Sequence, residues 1–563
     1  MTENKLADTL RKYLASFVIG IIALVIMIIA ISNLLPYPEL KSLPLYTFST
    51  VSRIILTLGI STLWGVSFGI LAATNKIASI LLTPLIDLLQ SIPVLGYFPM
   101  VIAFLFALGP LGIELSVIIL LFTSMAWSIF FGVVGAIRGI PANVTESARS
   151  FGLTGWRRIR HVILPAITPA VISGANLAWC DGWFFIIAAE YIQYQGSVVS
   201  PPSGGLGFLL AQASYQYKDM TLAAVLLLFI TFIVVYFNTL TWHKLMERTS
   251  AGTLKPVFKV DLSGIGKLGI TRANAWSHFG KLHWPKSYSI AAQRLKKHSR
   301  LETGIAALIV TALFIFFLYP VLGRFPTVSI IQKGFTEPPA SQLGALPLLI
   351  LFTMGRLTLA YGISLIVAIG MGVLAAEHKK FAKIFAPLFD IGQGVPILAL
   401  FPVISLGLNN LIGNPEFALE ITCIIILVLD MIWYMFLNIE SAVKNIPTDV
   451  TEVGKIFGFK GLKRVTHIVI PSILPAIVTG SILSWGTGWN TIIFAEYLPS
   501  TSTSTAPISV PGIGSLLDQA GYEYGNTVVL ILILAIIAAI VLLMEGFVWR
   551  RLLRKFEKYH IEV

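Results

Sequence analysis

The stretch Glu146–Pro165, ESARSFGLTGWRRIRHVILP, returns later in the chain as Glu452–Pro471, EVGKIFGFKGLKRVTHIVIP. In both copies a Glu leads, a Gly follows six residues on and a Pro nineteen on. Each copy is a polar, basic island between two apolar spans. Arg138, Arg149, Arg157, Arg158 and Arg160 gather around the first, which by the positive-inside rule belongs on the cytoplasmic side.

The islands are one part of a longer duplication. Arg53, Asp87, Gln90, Pro93 and Pro99 recur 303 residues on as Arg356, Asp390, Gln393, Pro396 and Pro402. At an offset of 306, Pro141, Trp179, Gly182, Trp183, Glu190 and Tyr191 recur as Pro447, Trp485, Gly488, Trp489, Glu496 and Tyr497. Gly205, Gly207 and Gln212 recur at 307 as Gly512, Gly514 and Gln519. Shared hydrophobicity cannot match so many polar, Gly, Pro and Trp positions, so the second half is a copy of the first.

Composition sets the solvent. Of 563 residues 56% are hydrophobic and 12% charged, with a mean hydropathy of +0.84. A soluble domain carries roughly twice that charge fraction. Continuous apolar runs of spanning length recur throughout, so an all-α polytopic membrane protein is expected rather than a barrel. The net charge of +13 sits in loops beside spans, which argues against nucleic-acid binding. Cys180 and Cys423 lie in apolar spans and form no disulfide framework.

The expected division is a first repeat over 1–241, a basic cytoplasmic linker over 242–303 and a second repeat over 304–563. Each repeat has six spans, about 12 in all by hydrophobic run length, with island loops at 141–165 and 447–471. The first run, about Ser16 to Leu35, reads as a retained span. The linker carries twelve Lys or Arg against three acids, which suits a tether beside anionic lipid headgroups. An even number of spans per repeat makes the two copies parallel, with both termini cytoplasmic and a substrate path between them.

Within an island, Asn143 and Thr145, or Thr448 and Thr451, are candidate N-caps, and Gly152 or Gly458 should end a short helix. A helix-turn-helix under the membrane suits a cleft on a partner. The island pattern resembles the EAA loop of binding-protein-dependent ABC transporter permeases, in which Glu-Ala-Ala and a Gly precede Ile-x-Leu-Pro. Here the copies read E-S-A with V-I-L-P and E-V-G with I-V-I-P. AWCDGWFFIIAAEYI at Ala178–Ile192 and SWGTGWNTIIFAEYL at Ser484–Leu498 look like the nitrate/sulfonate/taurine branch.

That resemblance implies the type I ABC importer fold and a permease passing a small anion inward across a prokaryotic inner membrane. It implies two copies of a separate ATPase subunit, which would bind ATP and magnesium, and an extracytoplasmic substrate-binding protein. It carries the ATPase-coupling role onto Glu146, Ala148, Gly152 and Pro165, and onto Glu452, Gly454, Gly458 and Pro471. The chain itself has no G-x-x-x-x-G-K-[ST] for nucleotide and no metal motif, so no cofactor or enzymatic activity is expected of it.

Polar residues retained twice inside spans usually face the bundle interior. Gln90, Pro93, Asn176, Trp179 and Trp183, with Gln393, Pro396, Trp485, Trp489 and Asn490, are the candidates for the substrate path. The helix breaks at Pro93 and Pro396 would free backbone N–H groups for an oxyanion. Arg53, Asp87, Glu190, Arg356, Asp390 and Glu496 read as structural charges, because carboxylates lining an anion path would repel the cargo. One rival is an ion-gradient-driven transporter using those carboxylates. Another is a non-transporting scaffold. The rivals leave the twin islands or the repeated broken helices unexplained.

Overall fold

The computed structural model describes residues 26–29, 31, 37–194, 197–243, 245, 334–378, 381, 396–459, 461–498 and 507–556. The expected first span is described only at a few positions. The linker beyond residue 245, the span expected near 304–322, Asp390 and Gln393 lie outside the described residues.

In the first repeat α1 is Leu43–Thr74, α2 Lys76–Ser91, α3 Val94–Leu105 and α4 Pro110–Arg138. The island helix α5, Ala142–Ser150, leads to α6, Leu164–Ala189. A hairpin of β1, Ile192–Tyr194, and β2, Ser197–Val199, precedes the short α7, Leu206–Ala211, and α8, Met220–Phe237. The second repeat runs in the same order: α9, Leu346–Glu377; α10, Ile397–Ile412; α11, Pro415–Lys444; the island helix α12, Thr448–Ile456; and α13, Ile470–Ala495. The hairpin β3, Tyr497–Leu498, with β4, Ile508–Ser509, then leads to α14, Ile513–Asp518, and α15, Thr527–Met544. Among the described residues eight helices are long and apolar enough to cross a membrane, four in each repeat.

Proline placement explains several boundaries. α1 starts at Leu43 rather than near Val51, because Pro44 occupies its first turn, where a missing N–H costs nothing. Asn75 ends α1 and caps α2, accepting from the amides of Ile77 and Ala78. The expected single third span is two helices, broken at Ile92 and Pro93. Ahead of α6 and α13 the backbone widens into π turns at Ile159–Ile163 and Val465–Val469. Pro165 and Pro471 follow directly, and a proline clashes with the carbonyl four residues back. The matched His161 and His467 meet the carbonyls of Arg157 and Lys463 at 2.9 and 3.0 Å.

Within each repeat three long helices pack together: α1, α4 and α6, and then α9, α11 and α13. Small residues bring the backbones close, as lipid-embedded helices require. A Cβ on Gly174 would lie 3.0 Å from Ile129 Cα, and one on Gly480 3.1 Å from Met435 Cα.

The second half of each broken helix packs on α4 or α11 of its own repeat and also reaches across to the other. α3 lies against α13, α14 and α15, while α10 lies against α6, α7 and α8. These cross-repeat contacts are reciprocal, as a two-fold relation between the repeats requires.

Candidate functional site

Two buried ion networks organise the repeats. Arg53 stands on α1, inside the bundle rather than at the span's start. Its Nε and Nη2 donate to Glu114 at 2.7 and 3.1 Å, and Nη1 donates to Glu190 Oε1 at 2.7 Å. Nη1 also reaches the Gly204 carbonyl and Nη2 the Ser203 hydroxyl. Glu190 accepts further from Thr50 Oγ1 and from the Gly207 amide, at 2.7 and 2.9 Å. Thr50 in turn accepts from the Leu206 amide at 2.9 Å.

The second copy repeats this group by group. Arg356 forks onto both oxygens of Glu420 at 2.7 Å and reaches Glu496 at 2.7 Å and the Pro511 carbonyl at 2.9 Å. Glu496 accepts from Thr353 and from the amides of Gly514 and Ser515. Each network therefore ties the end of α6 or α13, through its Glu, to the free amides opening α7 or α14. A carboxylate at a helix start complements the unpaired N–H groups there. Gly205 and Gly512 make the approach possible, since a Cβ at either would fall 2.1 Å from the Glu carboxyl group.

Glu190 and Glu496, read as structural charges, are held both by Arg53 and Arg356 and by backbone amides. Asp87 is not on Arg53; it accepts from Gln90 Nε2 at 3.2 Å, one turn along α2. Glu114, Glu420, Thr50 and Thr353 were missed. Their signal was available, because Glu114 and Glu420 are 306 apart and Thr50 and Thr353 are 303 apart.

At the first helix break, Asn490 Oδ1 of the second repeat accepts from the Val94 amide at 2.6 Å. One N–H considered for an oxyanion is therefore held by the protein itself. Asn490 corresponds to position 184 in the first repeat, a Phe, so this bond has no twin. Pro93 stands at the break and caps α3, and Pro396 caps α10 in the same way. Trp179 and Trp183 are buried in edge-to-face contact, and Trp179 also meets Phe237 and Trp242. Trp485 packs on Tyr361 and Trp549, and Trp489 is buried. These four rings sit in the packed core, while Asn176 is half-buried on α6.

The islands have nearly the same backbone. Pro141, not Asn143 or Thr145, is the N-cap of α5, and it makes no side-chain cap bond. Asn143 turns back onto the Val144 amide, and α12 begins at Thr448, so Thr451 lies inside it rather than at its cap. Pro141 fixes the entry angle of the helix but has no side-chain oxygen with which to cap its first amides. α5 ends in a Schellman turn: Leu153 N–H bonds the Ala148 carbonyl and Gly152 N–H that of Arg149, both at 2.9 Å. Gly152 and Gly458 have φ of +68° and +72°, the left-handed region that glycine enters freely.

What the islands show to solvent is apolar. Phe151 and Trp156 are 70% and 69% exposed, and Ile456 and Phe457 are 82% and 71% exposed. Glu146 and Glu452 are exposed beside them. Ala148 and Gly454 point inward. A Cβ on Gly454 would fall 1.9 Å from Ile468 Cδ1. The matched positions in the first repeat are Ala148 and Val162, the first larger than Gly454 and the second smaller than Ile468. The Gly at position 454 leaves room for the longer Ile468 side chain on the inner face.

Comparison with known proteins agrees with this architecture. Residues 65–249 and 368–554 each match the family described as binding-protein-dependent transport system inner membrane component. The bicarbonate transport system permease protein of Synechocystis is 29% identical over 195 residues, 35% of this chain and 64% of that protein. The taurine transport system permease protein of Escherichia coli is 25% identical over 178 residues, 31% of this chain and 60% of its own length. The nitrate import permease protein of Synechocystis is 24% identical over 152 residues, 27% of this chain and 54% of that protein. Each match spans less than two thirds of the relative. Carrying the family domain twice, on a multi-pass helical frame, the chain belongs to the binding-protein-dependent transport system inner membrane components.

Proposed function

We propose that the chain is the membrane-spanning subunit of an ATP-driven importer for a small anion, of the bicarbonate, nitrate, sulfonate or taurine kind. Two copies of a separate ATPase subunit, holding ATP and magnesium, dock at the islands and drive alternating access. An extracytoplasmic binding protein delivers the cargo. The membrane is the inner membrane of a prokaryote, with both termini and both islands on the cytoplasmic side.

One observation carries this reading. Two short helices with the same left-handed glycine turn each present solvent-exposed aromatic or aliphatic side chains next to an exposed Glu. Apolar surface left open twice, on polar islands, is the mark of a docking site. Glu146, Gly152 and Pro165 with Glu452, Gly458 and Pro471 shape the two handles, and Ala148 and Gly454 seat them on the π turns.

The rival driven by an ion gradient would draw on the repeated intramembrane carboxylates, above all Glu190 and Glu496. Glu190 and Glu496 are instead held by Arg53, Arg356 and backbone amides, which speaks against it.

The test is charge reversal at both islands. Glu146→Lys with Glu452→Lys should abolish co-purification of the ATPase and uptake, while leaving the melting temperature of the chain unchanged. Retained co-purification and uptake would refute the docking role.

A further inference from the structure

A cavity of about 30 Å³ lies between the two repeats, lined by Leu95 and Tyr191 of the first and by Phe494, Tyr497, Asp518 and Tyr522 of the second. A water needs roughly 10–15 Å³, so this partly open space takes one small polar group, such as the charged end of a larger molecule. Asp518 is 4% exposed, and it accepts no hydrogen bond and meets no cation among the described residues. A buried carboxyl with no partner is costly, so a position that keeps one asks for a reason.

The fold does not supply it. Position 518 corresponds to Ala211, which ends α7 as Asp518 ends α14 and is buried as well. Around both, the Glu–amide anchors and the following Gln are the same, so the frame stands without the acid. The second repeat alone brings a carboxyl group to this wall.

We propose that Asp518 and the surrounding rings form a transit site for a positively charged nitrogen on the substrate, an alkylammonium or similar group. A carboxylate gives such a group a charge-assisted hydrogen bond, and aromatic faces attract it through their quadrupoles. An alkali ion is the poorer fit, because hard cations want several oxygen ligands and one carboxyl group with three tyrosines falls short of that. The inference rests on the importer reading for the inward path and narrows its cargo. A substrate that carries an acid group would also carry an ammonium, and so cross as a zwitterion.

The experiment is ligand binding to the full chain in nanodiscs, without ATPase subunits. The probes are taurine, ethylammonium, ethanesulfonate and sodium chloride, with isosteric Asp518→Asn and with Asp518→Ala, which installs the residue of the first repeat. Wild type is expected to bind taurine and ethylammonium about tenfold or more tightly than ethanesulfonate, with sodium failing to compete. Both variants should lose that preference by about tenfold, a change of about 1.4 kcal/mol, at unchanged melting temperature. Equal binding of ethanesulfonate, no binding of either ammonium probe, full competition by sodium, or an unaltered preference in Asp518→Asn would each overturn it. None of these outcomes touches the islands, so the importer reading stands or falls separately on the charge-reversal result.

Discussion

Arg53 and Arg356 are each shared by two carboxylates in a buried setting, and single side chains there decide more than their own contacts. Removing one partner of a buried pair leaves an uncompensated charge, at about 3–5 kcal/mol. Arg53→Ala or Arg356→Ala should therefore lower the melting temperature sharply, whereas Arg53→Lys should recover only part of the loss because one ammonium cannot fork onto two acids. Thermal unfolding in detergent measures both. Glu190→Gln keeps the shape and should cost less than Glu190→Ala. The Arg and distal Glu of each network were legible as matched intramembrane charges. The nearer acids, Glu114 and Glu420, stand close to the start of their spans and read as ordinary interface residues until the helices are assembled.

At the scale of elements, the break in the third helix and the glycine turns of the islands behave as local chemistry dictates, and most of that could be read off prolines and glycines. The caps could not, because Pro141 sets the entry geometry ahead of Asn143 and Thr145. Two element-level predictions follow from packing. Gly205→Ala or Gly512→Ala would thrust a methyl group into the Glu carboxyl group, so α7 or α14 should detach and amide exchange there should rise. Gly454→Ala alone should destabilise the second island, while Gly454→Ala with Ile468→Val, which reproduces the Ala148 and Val162 pair, should restore it. A double-mutant cycle on thermal stability should give a coupling of about 1 kcal/mol or more. Additivity of the two changes would show that the volumes are independent.

Across the whole molecule the repeats are not two separate bundles, because α3 and α10 each pack on their own repeat and on the opposite one. Residues 1–241 and 304–563 expressed as separate chains should each be poorly stable alone and should associate when made together, which pull-down through a tag on one of them measures. Asn490→Ala should weaken that association, since the Val94 amide would be left unpaired at a cost of about 1–3 kcal/mol. Unchanged pull-down would mean that the Asn490 bond adds nothing to the join.

Sequence alone determined the membrane class, the duplication, the two islands and the broken helices, because hydropathy, proline and glycine act within a few residues of where they stand. It also marked Arg53, Glu190 and their copies as a set. Only the tertiary structure decided which atoms the set satisfies, that the Trp pairs sit in the core, that α3 and α10 bridge the two repeats, and that Asp518 faces a cavity between them. Those facts depend on residues hundreds of positions apart meeting across packed helices, and a repeat offset shows that two positions are equivalent without showing what either one touches.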